Sequence, residues 1–366
     1  MGKTSNSTYY PLRTYYWLII LFQLLILVPG CESNDPYCDP WDAYWENPDT
    51  MKFIATGDPQ YKEDQIQYGH VTVRNSDWIA KLVQRRICEQ GYLGYLIAGD
   101  LTFYARKPEL EKYQTSIDSF KQYVFDGLGN HDFKFVPHED SVGPRWRNFG
   151  MAPLFHVSKP FWTEDTYDVW EEVRSKARIP KVYDSKPNLH YSFDWDDLHI
   201  VQLNAFPGEN PTNTKHAQHP FNSIQFLKED LEKRVGNSGK PIILIHHYGF
   251  DDFSIGVENG KHYQEKEWWT EEDRKTYWDV LKPYNVAAIF TGHAHKYEEW
   301  YLPWDGENIG ETNVATDFIP TFVAGAAREG YYLDCILVND TMTISRYNID
   351  SLLDVRKIHV QRGKGK

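Results

Sequence analysis

Apolar residues in this chain come in short runs, and five of these runs close on a side chain able to bind a metal. They are Met51–Asp58 (MKFIATGD), Tyr95–Asp100 (YLIAGD), Val124–Asp132 (VFDGLGNHD), Pro241–His246 (PIILIH) and Val286–His295 (VAAIFTGHAH). Runs of this length, bounded by glycine or polar residues, predict buried strands. Elsewhere the period changes. Ser76 to Gln90 puts Trp78, Ile79, Leu82, Val83 and Ile87 on one helical stripe, with Asn75 or Ser76 as N-cap. Pro220 to Val235 repeats the stripe with Ile224, Leu227 and Leu231, and Thr270 to Leu281 opens on Thr-Glu-Glu-Asp, a capping signature. Residues 189–195, 198–204, 321–324, 331–338 and 342–347 are strand-like, and Asn339-Asp340 joins the last two as a tight turn. There is no internal repeat.

Strands alternating with helices, then giving way to strands, predict an α/β fold over residues 51–350. The expected form is a four-layer α/β/β/α sandwich of two mixed β-sheets flanked by helices. In open α/β sheets ligands bind beyond the carboxyl ends of the strands, so the polar residues that end the five runs should converge. Two connections, Phe133 to Asn188 and Tyr248 to Trp269, begin just after such residues and are too long for turns. Rich in Trp, Tyr, Phe and Lys, they are expected to wall the substrate cleft.

The net charge of −13 repels a polyanion, so no nucleic-acid partner is expected. Tyr15 to Val28 carries no charge, and Lys3 and Arg13 precede it. This stretch is short for a membrane span and fits a signal-peptide core. Val28-Pro29-Gly30-Cys31 resembles the processing site of a bacterial lipoprotein, which would leave Cys31 acylated. An uncleaved signal anchor and an ordinary secretory signal are the alternatives, and all three place the protein outside the cytosol, in the cell envelope or secreted. Residues 1–31 are therefore expected to be signal, 32–50 a polar tether, and 351–366 a basic, solvated tail. If Cys31 carries lipid, Cys38, Cys88 and Cys335 remain and allow at most one disulfide; otherwise three pairings are open. Cys88 in a helical pattern and Cys335 in a strand pattern are expected to be buried free thiols. No CxxC spacing occurs, so a cysteine metal site is not expected.

Asp, Asn and His are donors suited to Mn, Mg, Fe or Zn, and a pair of such ions is best held by a bridging carboxylate. Two ions about 4 Å apart hold a hydroxide and clamp the attacking and leaving oxygens of a phosphoryl group. Each run alone ends in a commonplace turn; the ordered set is specific. Gly57-Asp58, Gly99-Asp100, Gly129-Asn130-His131-Asp132, His246 and Gly292-His293-Ala294-His295 resemble the five signature blocks of the calcineurin-like metallophosphoesterase superfamily. The resemblance runs from about Met51 to Tyr347.

It implies that Asp58 and His295 bind a first metal, that Asp100 bridges, and that Asn130, His246 and His293 hold a second. It places His131 outside the metal shell, acting on the phosphoryl group, with Asp132 helping to fix its tautomer and His247 in a structural or outer role. The family's first block reads Asp-x-His, whereas this chain has Asp58-Pro59-Gln60. Gln60 then coordinates through its weaker amide oxygen or contacts a metal-bound water. The implied activity is hydrolysis of phosphate esters by a metal-bridged hydroxide, on small molecules or lipid head groups, by an exported and membrane-tethered enzyme. An inactive phosphate-ligand-binding protein and a phosphodiesterase or nuclease are the alternatives.

Overall fold

Strand β1 (Thr50–Thr56) turns the apolar pattern into a layer: Met51, Phe53 and Ala55 face one core, and Ile54 faces another. This strand sits inside a six-stranded sheet ordered β15-β14-β13-β1-β2-β3. Its members are β2 (Gly94–Ile97), β3 (Val124–Asp126), β13 (Tyr331–Val338), β14 (Thr341–Asn348) and β15 (Ser351–His359). β1, β2 and β3 run parallel, and β13 to β15 are antiparallel.

A seven-stranded sheet, ordered β11-β12-β10-β7-β6-β5-β4, faces it. It comprises β4 (Tyr183–Asp184), β5 (Tyr191–Trp195), β6 (Leu198–Gln202), β7 (Ile242–Ile245), β10 (Val286–Thr291), β11 (Tyr297–Leu302) and β12 (Ile319–Ala324). A small hairpin, β8 (Val257–Glu258) and β9 (Lys261–His262), stands apart. The computed structural model describes residues 49–62, 72–103, 107–133, 183–184, 190–205, 207, 222–252, 254–263, 270–302 and 318–362.

Between the sheets lies one buried cluster containing Phe53, Phe125, Phe193, Trp195, Ile243, Ile245, Phe290 and Phe322. The opposite strand faces are covered by α1 (Thr72–Gln90), α2 (Lys107–Ile117), α4 (Ser223–Asp230) and α5 (Glu271–Leu281). A one-turn helix, α3 (Asn130–Phe133), follows β3. Ile79, Val83 and Ile87 of α1 cluster with Ile54, Tyr95 and Ile97, and Leu227 and Tyr277 cluster with Ile242 and Leu244. The strands are apolar on both faces because both faces are covered. Helix α5 starts where its capping signature predicts: Asp273 N donates to Thr270 Oγ1 at 3.1 Å, and the Asp273 carboxylate accepts from Thr270 N. The four-layer α/β/β/α architecture agrees with the sequence reading.

Two expectations are corrected. Residues 351–359 are largely exposed, as expected, yet they are not a tail but edge strand β15, paired with β14 along its length. Its alternation is masked by charges that blunt the open edge, and Arg356 pairs with Glu299 at 2.8 Å. Cys88 is disulfide-bonded rather than a free thiol. It sits half-buried at the rim of the α1 stripe, where a bond to another segment is reachable. Cys335 is a buried free thiol as expected. Strand β11 lay unrecognised behind mixed polar and aromatic residues. The signal segment, Cys31 and nearly all of the 32–50 tether lie outside the described residues, as does most of 133–188. Among the described residues no helix is long and apolar enough to cross a membrane.

One buried ion cluster ties β5 and β6 to α4. His199 places Nδ1 2.8 Å from Asp194 and Nε2 2.7 Å from Asp230, while Ser192 Oγ donates to Asp230 at 2.6 Å. Burial works to lower the His199 pKa, but hydrogen bonds to the two carboxylates outweigh it and hold it above its ordinary value. Its stabilisation is therefore complete below the unfolded value of about 6.5 and lost as pH rises through the higher folded value. Thermal melts from pH 6 to 9 should show this loss, and His199→Gln should flatten that part of the profile. An unchanged slope would show that the cluster does not control it.

Candidate metal centre

The carboxyl ends of β1, β2, β3 and β10 meet in one crevice, and the sequence at those ends lets the loops touch. A Cβ on Gly57 would lie 2.8 Å from the Gly292 Cα, so glycine is required where the two sheets approach. Asp58, Gln60, Asp100, His293 and His295 all have left-handed backbones, with φ of 52°, 40°, 56°, 70° and 55°. Each such residue costs roughly 1–2 kcal/mol, and a cluster of them marks a functional constraint. Backbone bonds hold these turns together. Asp58 N donates to Gly99 O at 3.0 Å, Gln60 N to Asp100 O at 2.9 Å, and His293 N to Asp58 Oδ2 at 2.9 Å.

Asp100 is fully buried between two groups of side chains. Its Oδ1 accepts from His131 N at 2.8 Å and lies 3.3 Å from His247 Nε2. The same imidazole nitrogen is 2.9 Å from Asn130 Oδ1, and the His293 ring stands edge-on to the His247 ring at 5.0 Å. Burial alone would raise the Asp100 pKa, but His247 and His131 outweigh it and hold the carboxyl well below its usual range. Burial likewise pushes His247 down, and Asp100 outweighs it, so the imidazole takes up a proton readily. A carboxylate, an amide oxygen and an imidazole nitrogen thus converge where positive charge is favoured. Ligand atoms of Asp58, Asp100 and His247 all lie within 4.8 Å of one another. This donor set fits one divalent cation.

His247, rather than His246, completes that set. Along β7, Ile243 and Ile245 point between the sheets, and Ile242 and Leu244 point towards the helices. Continuing the alternation, His246 points to the helices and His247 into the crevice. His246 packs edge-on against Tyr277 of α5 at 5.5 Å, and its Nδ1 is 2.7 Å from Tyr248 O. Burial pushes its pKa down to about 3, which fits an apolar surrounding. The His246 ligand assignment is therefore corrected, because adjacent strand residues cannot share a face.

Around the other carboxylate oxygen the chemistry differs. Gln60 Nε2 donates to Asp100 Oδ2 at 2.9 Å and stands 3.2 Å from His295 Nε2. His295 Nε2 is 3.1 Å from Asp58 Oδ1. The amide oxygen of Gln60 accepts from Arg328 Nη1, and Arg328 Nη2 reaches His295 Nδ1 at 2.8 Å. Arg328 had no signal in the sequence, being 268 residues from its partner Gln60. Gln60 lies in the centre as anticipated, but its oxygen is committed to a guanidinium and its NH₂ faces inward. Gln60 thus turns donors, not lone pairs, towards Asp100 Oδ2.

His131 stands at the mouth, its side chain 19% exposed and its Nε2 3.9 Å from Asp100 Oδ2. Nδ1 is 2.6 Å from Phe103 O, so it carries the proton and donates to that carbonyl. The expectation that Asp132 fixes this tautomer is corrected. Asp132 is buried beneath and accepts from Leu101 N, Thr102 N, Thr102 Oγ1 and Gly129 N at 2.9–3.0 Å. It braces the turns that carry Asp100 and Asn130. Lys62 lies 3.7 Å over the Phe103 ring, which adds a second cation near the mouth besides Arg328.

Comparison with known proteins identifies the fold and the family. Purple acid phosphatase 23 of Arabidopsis thaliana is 28% identical over 179 residues, which make up 45% of this chain and 35% of that protein. The chain thus matches about a third of that relative's length. A purple acid phosphatase from yellow lupin (Lupinus luteus) seeds superposes with a TM-score of 0.55 at 12% identity, covering 85% of this chain and 54% of the lupin chain, and so shares the fold. The family model for calcineurin-like phosphoesterases matches residues 51–297, from the first strand to just beyond the His293–His295 turn. The chain belongs to the calcineurin-like phosphoesterase family.

Proposed function

We propose that this protein is a metal-dependent phosphoesterase that hydrolyses phosphate esters of small molecules or lipid head groups. The observation that carries this reading is the convergence of Asp58, Asp100 and His247 within 4.8 Å, with His131 at the mouth. Asp100, Asn130, His247 and His293, beside Asp58, would hold a divalent ion, which when bound would supply charge neutralisation and an activated water near neutral pH. The chain's own residues do the rest. Phe103 O accepts from His131 Nδ1–H, so Nε2 faces the crevice, and with a second proton on Nε2 the imidazolium gives that proton to the leaving oxygen and returns to the Nδ1–H tautomer. Arg328 and Lys62 attract the phosphate dianion, against the negative field of the whole chain.

The proposal extends to location. The uncharged Tyr15–Val28 segment and the disulfide at Cys88 both suit an exported protein, since such bonds persist in oxidising compartments. Tethering through the signal segment or an acylated Cys31 would keep it at the membrane.

His131→Ala tests the assignment of roles. A general acid contributes roughly 10²- to 10⁴-fold, and matters most when the leaving group is poor. The variant should keep its metal content, lose most activity on alkyl phosphates and lose less on aryl phosphates. Loss of the metal, or equal loss on both substrates, would contradict the role.

A further inference from the structure

The side chains around Asp100 Oδ2 point to an ion replaced by protein. We propose that Arg328 and Gln60 together take the place of one metal ion, so that the site holds a single divalent cation beside a fixed guanidinium. This rests on the phosphoesterase reading for its chemistry, but its argument is geometric.

Consider what each atom there can offer. A guanidinium has donors only, so the Gln60 atom facing Arg328 Nη1 must be the amide oxygen. The NH₂ then faces Asp100 Oδ2 and His295 Nε2 at 2.9 and 3.2 Å, and an amide nitrogen has no lone pair for a metal. His295 is committed in either neutral tautomer. If Nδ1 accepts from Arg328 Nη2 at 2.8 Å, Nε2 carries the hydrogen and donates towards Asp58 Oδ1 at 3.1 Å. If Nε2 is bare instead, it accepts from Gln60. Neither leaves a nitrogen lone pair for an ion.

Arg328 is not placed there by chance. It sits in a short helical turn, Ala327–Glu329, which β12 delivers to the crevice. Its own N donates to Asp58 O at 3.3 Å, its carbonyl accepts from Asn75 Nδ2 at 3.1 Å, and its guanidinium lies 5.7 Å from the Phe103 ring. The side chain is only 17% exposed. A cation fixed in this way neutralises Asp58 and Asp100, and its position near the mouth suits it to face a phosphoryl oxygen. The Asp100 Oδ1 side, with Asn130, His247 and His293, keeps its metal donors. Asp100 therefore bridges a metal and an amide rather than two metals.

The test is metal stoichiometry on the full-length protein, saturated with Mn or Zn and then gel-filtered. Wild type should retain one ion per chain, and Gln60→His combined with Arg328→Ala should retain two. Two ions in wild type, or one in the double variant, would overturn the replacement while leaving the phosphoesterase reading intact; none in wild type would overturn both. Electron paramagnetic resonance of the Mn-loaded wild type needs no variant to fold. An isolated-ion spectrum is expected, and a spin-coupled pair would refute the proposal.

Discussion

Asp100→Ala should abolish metal retention and lower phosphate-ester turnover by more than the roughly 10²- to 10³-fold that loss of a single transition-state donor costs. Asp100 touches both halves of the site. Its Oδ1 meets His247 and His131 N, and its Oδ2 meets Gln60. Removing the carboxylate strips the cation of its central ligand and takes from Gln60 Nε2 and His131 N the acceptor they share, at about 1–3 kcal/mol each. Asp100→Asn keeps the volume while removing the charge and turning one acceptor into a donor, so melting curves beside it separate lost chemistry from lost folding. Atomic absorption and kcat/KM on the two variants, beside melting curves, give the answer. An alanine variant with normal metal content and turnover would show that the site has been misplaced.

His247→Ala and His246→Leu should behave oppositely, and the contrast is the second large effect expected. His247 brings Nε2 within 2.9 Å of Asn130 Oδ1, so its loss should empty the cation site and reduce kcat/KM by roughly 10²-fold or more. His246 lies against Tyr277 and places Nδ1 2.7 Å from the Tyr248 carbonyl oxygen. Leucine there should cost about 0.5–1.5 kcal/mol for the lost hydrogen bond while leaving the metal content intact. Metal analysis on both variants decides between them. If His246→Leu lost the ion and His247→Ala kept it, the face assignment of β7 would be reversed.

Much of this was legible in the chain because strand ends are announced locally. A run of apolar residues followed by Gly-Asp or Gly-His needs no distant information, and the four layers follow from the order of such runs. Asp58, Asp100, Asn130, His131, His293 and His295 are brought together as the sequence implied. The choice between His246 and His247 was not legible, because β7 is apolar on both faces and its alternation does not say which face is inward. Register against β10 and the position of α5 decide that, and both are tertiary. Arg328 was invisible for a different reason: its meaning depends on Gln60, reached only when the segments just past β12 and β1 meet at the Gly57–Ala326 bridge. Edge strand β15 was hidden by the charges that protect it, and the Cys88 disulfide by a pattern that described only its helix.

Turnover should follow the metal. Full-length protein should release phosphate from p-nitrophenyl phosphate, fall to background after exhaustive chelation, and recover when a divalent ion is returned. Hydrolysis that survives removal of all metal, or no hydrolysis of this ester or of an aryl phosphodiester with Mn, Zn, Fe or Mg, would contradict it.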